Sequence, residues 1–227
     1  MTSEIDAELW LIRHGQSIGN RDNIYQGQND LPLSPLGREQ ADALAHRLVA
    51  LHGQYAFSAI YASDLQRATE TARPTAQRLN MPIILRPSLR EIDVGGWSGL
   101  TFVDIQELFA AEWADSYPVM NPERVRGGGE SYRKAEERVV DALARITSEH
   151  PGERVLVFFH GGVLQAALAH IMQMPLANKR FLRTANTSIS RVQLEVGQKR
   201  LSGVVLGIND VAHLEARNGD ISTETPE

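Results

Sequence analysis

Two short apolar runs, each ending in a histidine followed by glycine, constrain the fold of this 227-residue chain more than any other feature. Leu9-Trp10-Leu11-Ile12 leads into Arg13-His14-Gly15, and Val155 to Phe159 leads into His160-Gly161-Gly162. Apolar runs this short, bounded by polar residues and glycine, read as strands covered on both faces, as in parallel sheets flanked by helices. Between and after them lie further candidates: strands at Ala59–Ala62 and Pro82–Leu85, and two closing strands at Thr187–Val196 and Leu201–Ile208. Helical segments alternate with them. Ser34-Pro35 is a strong helix start, with apolar Ala41, Leu44, Ala45, Leu48 and Leu51 at helical spacing. Ser63 or Asp64 is expected to cap a helix through Leu79, with Pro74 marking a kink or an early end. Ser131 caps a long helix with an apolar face at Ala135, Val139, Ala142 and Ile146, ended by His150-Pro151-Gly152, and Val163–Met172 forms an apolar one.

Strands alternating with helices predict an α/β fold, a three-layer α/β/α arrangement around a mostly parallel central sheet. In such sheets ligands bind beyond the carboxyl ends of the strands. His14 and His160, 146 positions apart, both follow apolar strands directly, so this fold brings them to one edge. Residues 1–214 are expected to form a single domain. Within it, 101–130 combine a helix at Thr101–Ala111 with a Pro- and Gly-punctuated stretch and read as an insertion covering the site. The polar, acidic residues 215–227 read as a disordered tail.

Composition narrows the chemistry. With 23 basic against 28 acidic residues the chain has a formal net charge of −5, a poor match for nucleic acid or an anionic membrane surface. It contains no cysteine, which removes disulfides, thiolate metal sites and a cysteine nucleophile, and permits a cytoplasmic location. The chain start is acidic and the longest apolar stretch is Val155–Phe159, so neither a signal peptide nor a membrane span is expected. No His-Glu-x-x-His, paired aspartate or EF-hand spacing appears, and no metal or other cofactor is expected.

Two imidazoles at a strand edge beside Arg13 and Arg67 offer a nucleophile and planar cationic forks that match phosphate oxygens. Phosphoryl transfer needs an in-line nucleophile, charge stabilisation and a proton for the leaving oxygen, and Glu91 can supply the last. The expected partner is therefore a small phosphorylated substrate. Oligomeric state is left open, a homodimer included.

These residues sit in a longer series of ordered matches: Leu11-Ile12-Arg13-His14-Gly15-Gln16-Ser17 with Asn20, Leu33-Ser34-Pro35-Leu36-Gly37, and Ser63-Asp64-Leu65-Gln66-Arg67-Ala68 with Thr71-Ala72. The series continues through Leu89-Arg90-Glu91-Ile92, Gly95-Gly96-Trp97-Ser98-Gly99, Gly128-Gly129-Glu130-Ser131 and Phe159-His160-Gly161-Gly162. From about Glu8 to Leu214 the chain resembles the phosphoglycerate-mutase-like branch of the histidine phosphatase superfamily. That resemblance implies a phosphoglycerate-mutase-like fold and makes His14 the nucleophile that becomes phosphohistidine. Arg13, Arg67 and His160 complete the phosphate pocket, and Glu91 is the proton donor. It further implies phosphate contacts from Asn20 and the Gly161 backbone N–H, and a substrate-side loop at Gln26-Gly27. Gln16 stands where many members carry Glu.

Phosphatases and mutases of this family share that machinery. The separation of 69 positions from Glu91 to His160 resembles the shorter phosphatase members, and the insertion offers Phe102, Phe109, Trp113, Tyr117 and Met120 with only Arg124 and Arg126 basic. We therefore expect a phosphatase. A phosphoglycerate mutase, or an inactive member that binds a phosphorylated ligand, is the alternative. Other features take plainer readings. His46, His52, His150 and His170 read as surface or packing residues, Arg124 and Arg126 as solvated loop charges, and the apolar residues of 102–120 as cap packing. Glu91 has a structural ion pair with arginine as its competing reading. Gly127-Gly128-Gly129 lacks the Lys-Ser/Thr of a P-loop, and no chemistry is assigned to Asn209, Asp210 and His213.

Overall fold

A computed structural model describes residues 7–116, 121–196 and 201–215. In chain order the elements are β1 (Ala7–Arg13), α1 (Ile18–Arg21), β2 (Ile24–Tyr25), α2 (Pro35–Tyr55), β3 (Phe57–Ala62), α3 (Gln66–Leu79) and β4 (Ile83–Leu85). They continue with β5 (Leu100–Thr101), α4 (Phe102–Leu108), α5 (Ala110–Ser116), α6 (Tyr132–Glu149), β6 (Arg154–Phe159) and α7 (Gly161–Ile171). Two strands, β7 (Ile189–Val196) and β8 (Leu201–Asp210), precede a final turn of helix, α8 (Ala212–Glu215).

The central sheet has six strands in the order β4-β3-β6-β1-β7-β8. Its first four strands are parallel, and β7 runs antiparallel to both neighbours. Alternate residues of the strands point to opposite layers. Leu9, Leu11, Val155, Val157 and Phe159 pack with Val139, Leu143, Leu164 and Leu168 of α6 and α7. Trp10, Ile12, Leu156 and Phe158 pack with Leu44, Leu48, Ala72 and Ala76 of α2 and α3. This double coverage is why β1 and β6 are apolar at nearly every position. Each fully buried Leu, Ile or Phe there contributes about 1.5–3 kcal/mol of burial free energy.

Ser34 caps α2 by accepting from Gly37 N at 3.0 Å, with Pro35 at the first position, as the sequence predicts. Ser131 likewise caps α6. For α3 the expected cap is displaced. The N-cap residue is Leu65, and the Gln66 N–H is taken by Asp30 Oδ1 at 2.6 Å, from 36 positions away. Pro74 lies inside α3, which continues to Leu79. The helix expected at Thr101–Ala111 breaks at Phe109 into α4 and α5, with Thr101 as the α4 cap. An unanticipated two-stranded ribbon pairs Ile24–Tyr25 with Leu100–Thr101 and ties the stretch after β1 to the start of the insertion. Glu215 ends α8, and the remainder of the expected tail, like Tyr117 and Met120, lies outside the described residues.

Candidate active site

The carboxyl ends of the neighbouring strands β1 and β6 carry Arg13, His14 and His160. His14 and His160 are fully buried, with ring centroids 5.3 Å apart. His14 Nδ1 lies 2.7 Å from Gly15 O, and a carbonyl only accepts, so Nδ1 carries the proton and Nε2 the lone pair. A close approach fixes this loop: a Cβ on Gly15 would meet Gly37 O at 2.6 Å, and Gly15 N donates to Thr71 Oγ1 at 2.9 Å.

Arg67 enters from the first turn of α3, only 1% exposed. Its Nε donates to His160 Nδ1 at 3.1 Å, Nη1 to Asn29 O at 2.8 Å and Nη2 to Gly27 O at 2.7 Å. Because a guanidinium nitrogen can only donate, His160 Nδ1 is the acceptor, and Nε2–H donates to Ser63 Oγ at 2.8 Å. His160 is thus held as the neutral Nε2 tautomer. Burial, then the Arg67, His14, Arg138 and Arg13 charges, hold its pKa well below the usual histidine value. Arg13 is buried beside them and donates through Nη1 to Thr184 O at 2.7 Å.

Glu91 reaches the site from the loop after a 3₁₀ turn at Pro87–Leu89. Its carboxylate accepts from Gly162 N at 2.9 Å, Val163 N at 3.1 Å and its neighbour Ile92 N at 2.9 Å. It therefore sits at the N-terminal end of α7, where amide dipoles favour negative charge. Arg90, adjacent in sequence, pairs instead with Asp64.

The secondary predictions also converge. Asn20 and Gln26 are both buried, and both accept from Ser17, Asn20 Oδ1 from the backbone N at 3.2 Å and Gln26 Oε1 from the hydroxyl at 2.8 Å. A cavity wall contains Asn20, Gln26, Gly27, Arg67 and Glu91 together with Tyr25, Phe102 and Tyr132. Gly161 opens α7 directly after His160.

Several residues that shape this place stand in the sequence as motif matches without an assigned role there, or outside the motifs altogether. Ser63 orients His160, and its position directly after β3, like that of His14 after β1, is a signal that could have found it. Thr71 links α3 to Gly15, and Gly162 supplies an amide to Glu91. Asn186 Nδ2 donates to His14 O at 3.0 Å, and Thr187, at φ +57°, donates its N–H to both Arg13 O and His14 O. Arg126, expected to be solvated, is 2% exposed, because the loop folds its side chain onto Tyr132 under α5.

Residues 9–206 match the model of the histidine phosphatase superfamily, branch 1. The metal-independent phosphoserine phosphatase of Arabidopsis thaliana is 35% identical over 92% of this chain and 84% of its own. A probable phosphoglycerate mutase, GpmB of Cronobacter sakazakii, is 34% identical over 92% and 95%. The solved structure of a mycobacterial glucosyl-3-phosphoglycerate phosphatase, with vanadate, superposes with a TM-score of 0.75 at 30% identity, covering 89% of this chain and 98% of that one. The chain belongs to the histidine phosphatase superfamily. Within that class it is a phosphatase, a phosphoric monoester hydrolase. Among the described residues no helix is long and apolar enough to cross a membrane.

Proposed function

We propose that this chain hydrolyses a small phosphomonoester in two steps at His14. His14 Nε2 attacks phosphorus as the bond to the leaving oxygen breaks, and Glu91 gives its proton to that oxygen. A water then attacks the phosphohistidine, Glu91 takes back a proton, and inorganic phosphate leaves with Nε2 restored. Arg13 and Arg67 hold the phosphoryl oxygens, joined by His160 as its Nε2–H turns from Ser63 Oγ to the phosphate, with Asn20 and the Gly161 N–H as further contacts, while Gln26 and Gly27 border the substrate. A phosphate dianion arriving beside Glu91 favours the protonated carboxylic acid that the first step needs.

The single observation that carries this reading is the His14 Nδ1 bond to Gly15 O, since it presents the nucleophilic lone pair on the nitrogen opposite. Every role is filled by a side chain or a backbone amide, so we assign no metal or other cofactor. Hydrolysis is favoured over transfer back to substrate by the relatives named as phosphatases. The domain is taken as residues 1–214 with a cap at about 101–130, and a chain without cysteine suits the reducing cytoplasm, where we place it.

The test is phosphate release from 4-nitrophenyl phosphate and a panel of phosphorylated metabolites, with a chelator present, for wild type and His14→Ala. Wild type should turn over and trap base-stable, acid-labile phosphate on His14, and His14→Ala should do neither. Equal rates from the two proteins, or isomerisation of 3-phosphoglycerate well above its hydrolysis, would overturn the proposal.

A further inference from the structure

Asn209, Asp210 and His213, where β8 passes into α8, take no part in the chemistry above, yet they close on a turn that lies against the nucleophile. Ser188 N donates to Ala185 O at 3.0 Å to form that turn, and Asn209 Oδ1 accepts from Ala185 N at 2.6 Å. Asp210 accepts from Ala212 N at 3.1 Å, where α8 begins, and pairs with Arg47 of α2, which fixes the short helix in place. His213, buried on that helix, sets Nε2 3.0 Å from Thr187 Oγ1. The Thr187 hydroxyl gives its own proton to Asn186 O at 2.7 Å, so Oγ1 accepts and His213 Nε2–H donates.

Thr187 is a β-branched residue at φ +57°, a conformation that persists only where surrounding contacts over-determine it. What the strain delivers is an N–H aimed at Arg13 O at 3.1 Å and His14 O at 3.2 Å. Asn186 Nδ2 donates to the same His14 oxygen at 3.0 Å and reaches Asn20 Oδ1 at 3.4 Å. At the other end of the His14–Gly15 peptide, Gly15 N donates to Thr71 Oγ1 at 2.9 Å. That peptide is gripped at both ends, which fixes the loop in which Gly15 O meets His14 Nδ1. We propose that His213 is a positioning residue: with Asn209 it holds Asn186 and Thr187 against the His14 carbonyl and so aligns the imidazole for attack. This rests on the phosphomonoesterase reading and adds to it a chain of contacts running from α8 to the nucleophile, none of them with the substrate.

The test combines hydrolysis of 4-nitrophenyl phosphate with nitrogen-15 chemical shifts of the His14 ring, both on the full chain below its unfolding temperature. His213→Leu and Thr187→Val, which remove the two ends of one bond, should each lower kcat about tenfold and leave KM within about twofold. KM is spared because Arg67 is held separately, by the Gly27 and Asn29 carbonyls. The double variant should lose no more than the worse single one, since both break the same link. His213→Gln keeps a donor and Thr187→Ser keeps the hydroxyl, and each should retain most of the wild-type kcat. Asn186→Leu should cost about a hundredfold. In wild type at pH 8 the His14 ring should show the Nδ1–H tautomer alone, and in Asn186→Leu a mixture of both, a change that mere loss of stability does not produce. Undiminished kcat in His213→Leu, losses that multiply in the double variant, or an unaltered His14 tautomer in Asn186→Leu would each overturn the positioning role. A wild type that hydrolyses no phosphomonoester would instead overturn the phosphomonoesterase reading, and the ring shifts would still decide the positioning.

Discussion

A Cβ placed on Gly162 would stand 2.7 Å from Glu91 Oε1. The first turn of α7 and the carboxylate are therefore fitted to each other at contact distance, with the Gly162 and Val163 amides completing the grip. Gly162→Ala must displace one or the other. We expect kcat to fall about a hundredfold, the order associated with a misplacement of about 1 Å at a reacting group. Overpacking should cost about 1–3 kcal/mol of stability. Gly53 in α2, with nothing within 4 Å of its Cβ position, is the control: Gly53→Ala should stabilise by about 0.5–1 kcal/mol with kcat unchanged. Urea unfolding and steady-state kinetics on both variants decide the matter, and a fully active Gly162→Ala enzyme would refute the fit.

Ser63 holds the Nε2 proton of His160 while Arg67 donates to Nδ1. Nitrogen-15 chemical shifts should show His160 as the neutral Nε2–H tautomer at pH 7. Removing the hydroxyl in Ser63→Ala should lower kcat by about tenfold to a hundredfold through a looser ring, with Tm little changed. Detection of the Nδ1–H tautomer in wild type would exclude this arrangement.

Asp30 caps α3 from outside its own segment, and α3 carries Arg67. Asp30→Ala should cost about 1 kcal/mol of stability, the usual value of an N-cap. It should also raise KM several-fold, because the Gly27 and Asn29 carbonyls that hold Arg67 belong to the same loop. Unaltered unfolding midpoint and KM would show that the contact carries no weight.

His213 packs under the strand ends and bonds Thr187 Oγ1 through Nε2 at 3.0 Å. Burial first, then the Arg47 charge, push its pKa down to about 4. The folded ring stays neutral where the unfolded ring, near pKa 6.5, takes up a proton, so stability is present above that value and is lost as pH falls toward 4. His160, held down by burial and Arg67, acts in the same direction. From about pH 7.5 to pH 5, His213 alone should remove about 2 kcal/mol. Its replacement by Gln should flatten the profile of urea midpoints over that interval, and identical slopes for variant and wild type would contradict the assignment.

What the sequence discloses, and what it hides, follows from distance along the chain. β1 and β6 announce themselves because both faces are covered, which leaves no polar position from Leu9 to Ile12 or from Val155 to Phe159, just before Arg13 and His160. The helix caps at Ser34 and Ser131 are local and legible for that reason. The α3 cap is not, since Asp30 arrives from another segment, and the nearby Ser63 is engaged with His160. Arg126 shows the same limit more sharply. Its neighbours Arg124 and Gly127 suggest an exposed loop, and its burial depends on Tyr132. Glu91 is legible in the sequence as a candidate proton donor, yet its grip by Gly162 and Val163 appears only when α7 is set against the loop.

The pairing of β1 with β6 joins Glu8 to Arg154 across 146 positions. During synthesis the chain therefore carries His14 for most of its length with nothing to assemble around it, until β6 has emerged and slots in between β1 and β3. Loop-closure entropy is met before the central parallel pairing returns any stabilisation, which makes for slow folding and a late-forming pocket. Truncated or stalled chains that end before His160 lack the strand that unites the two halves of the sheet. Catalytic competence thus arrives together with the completed fold.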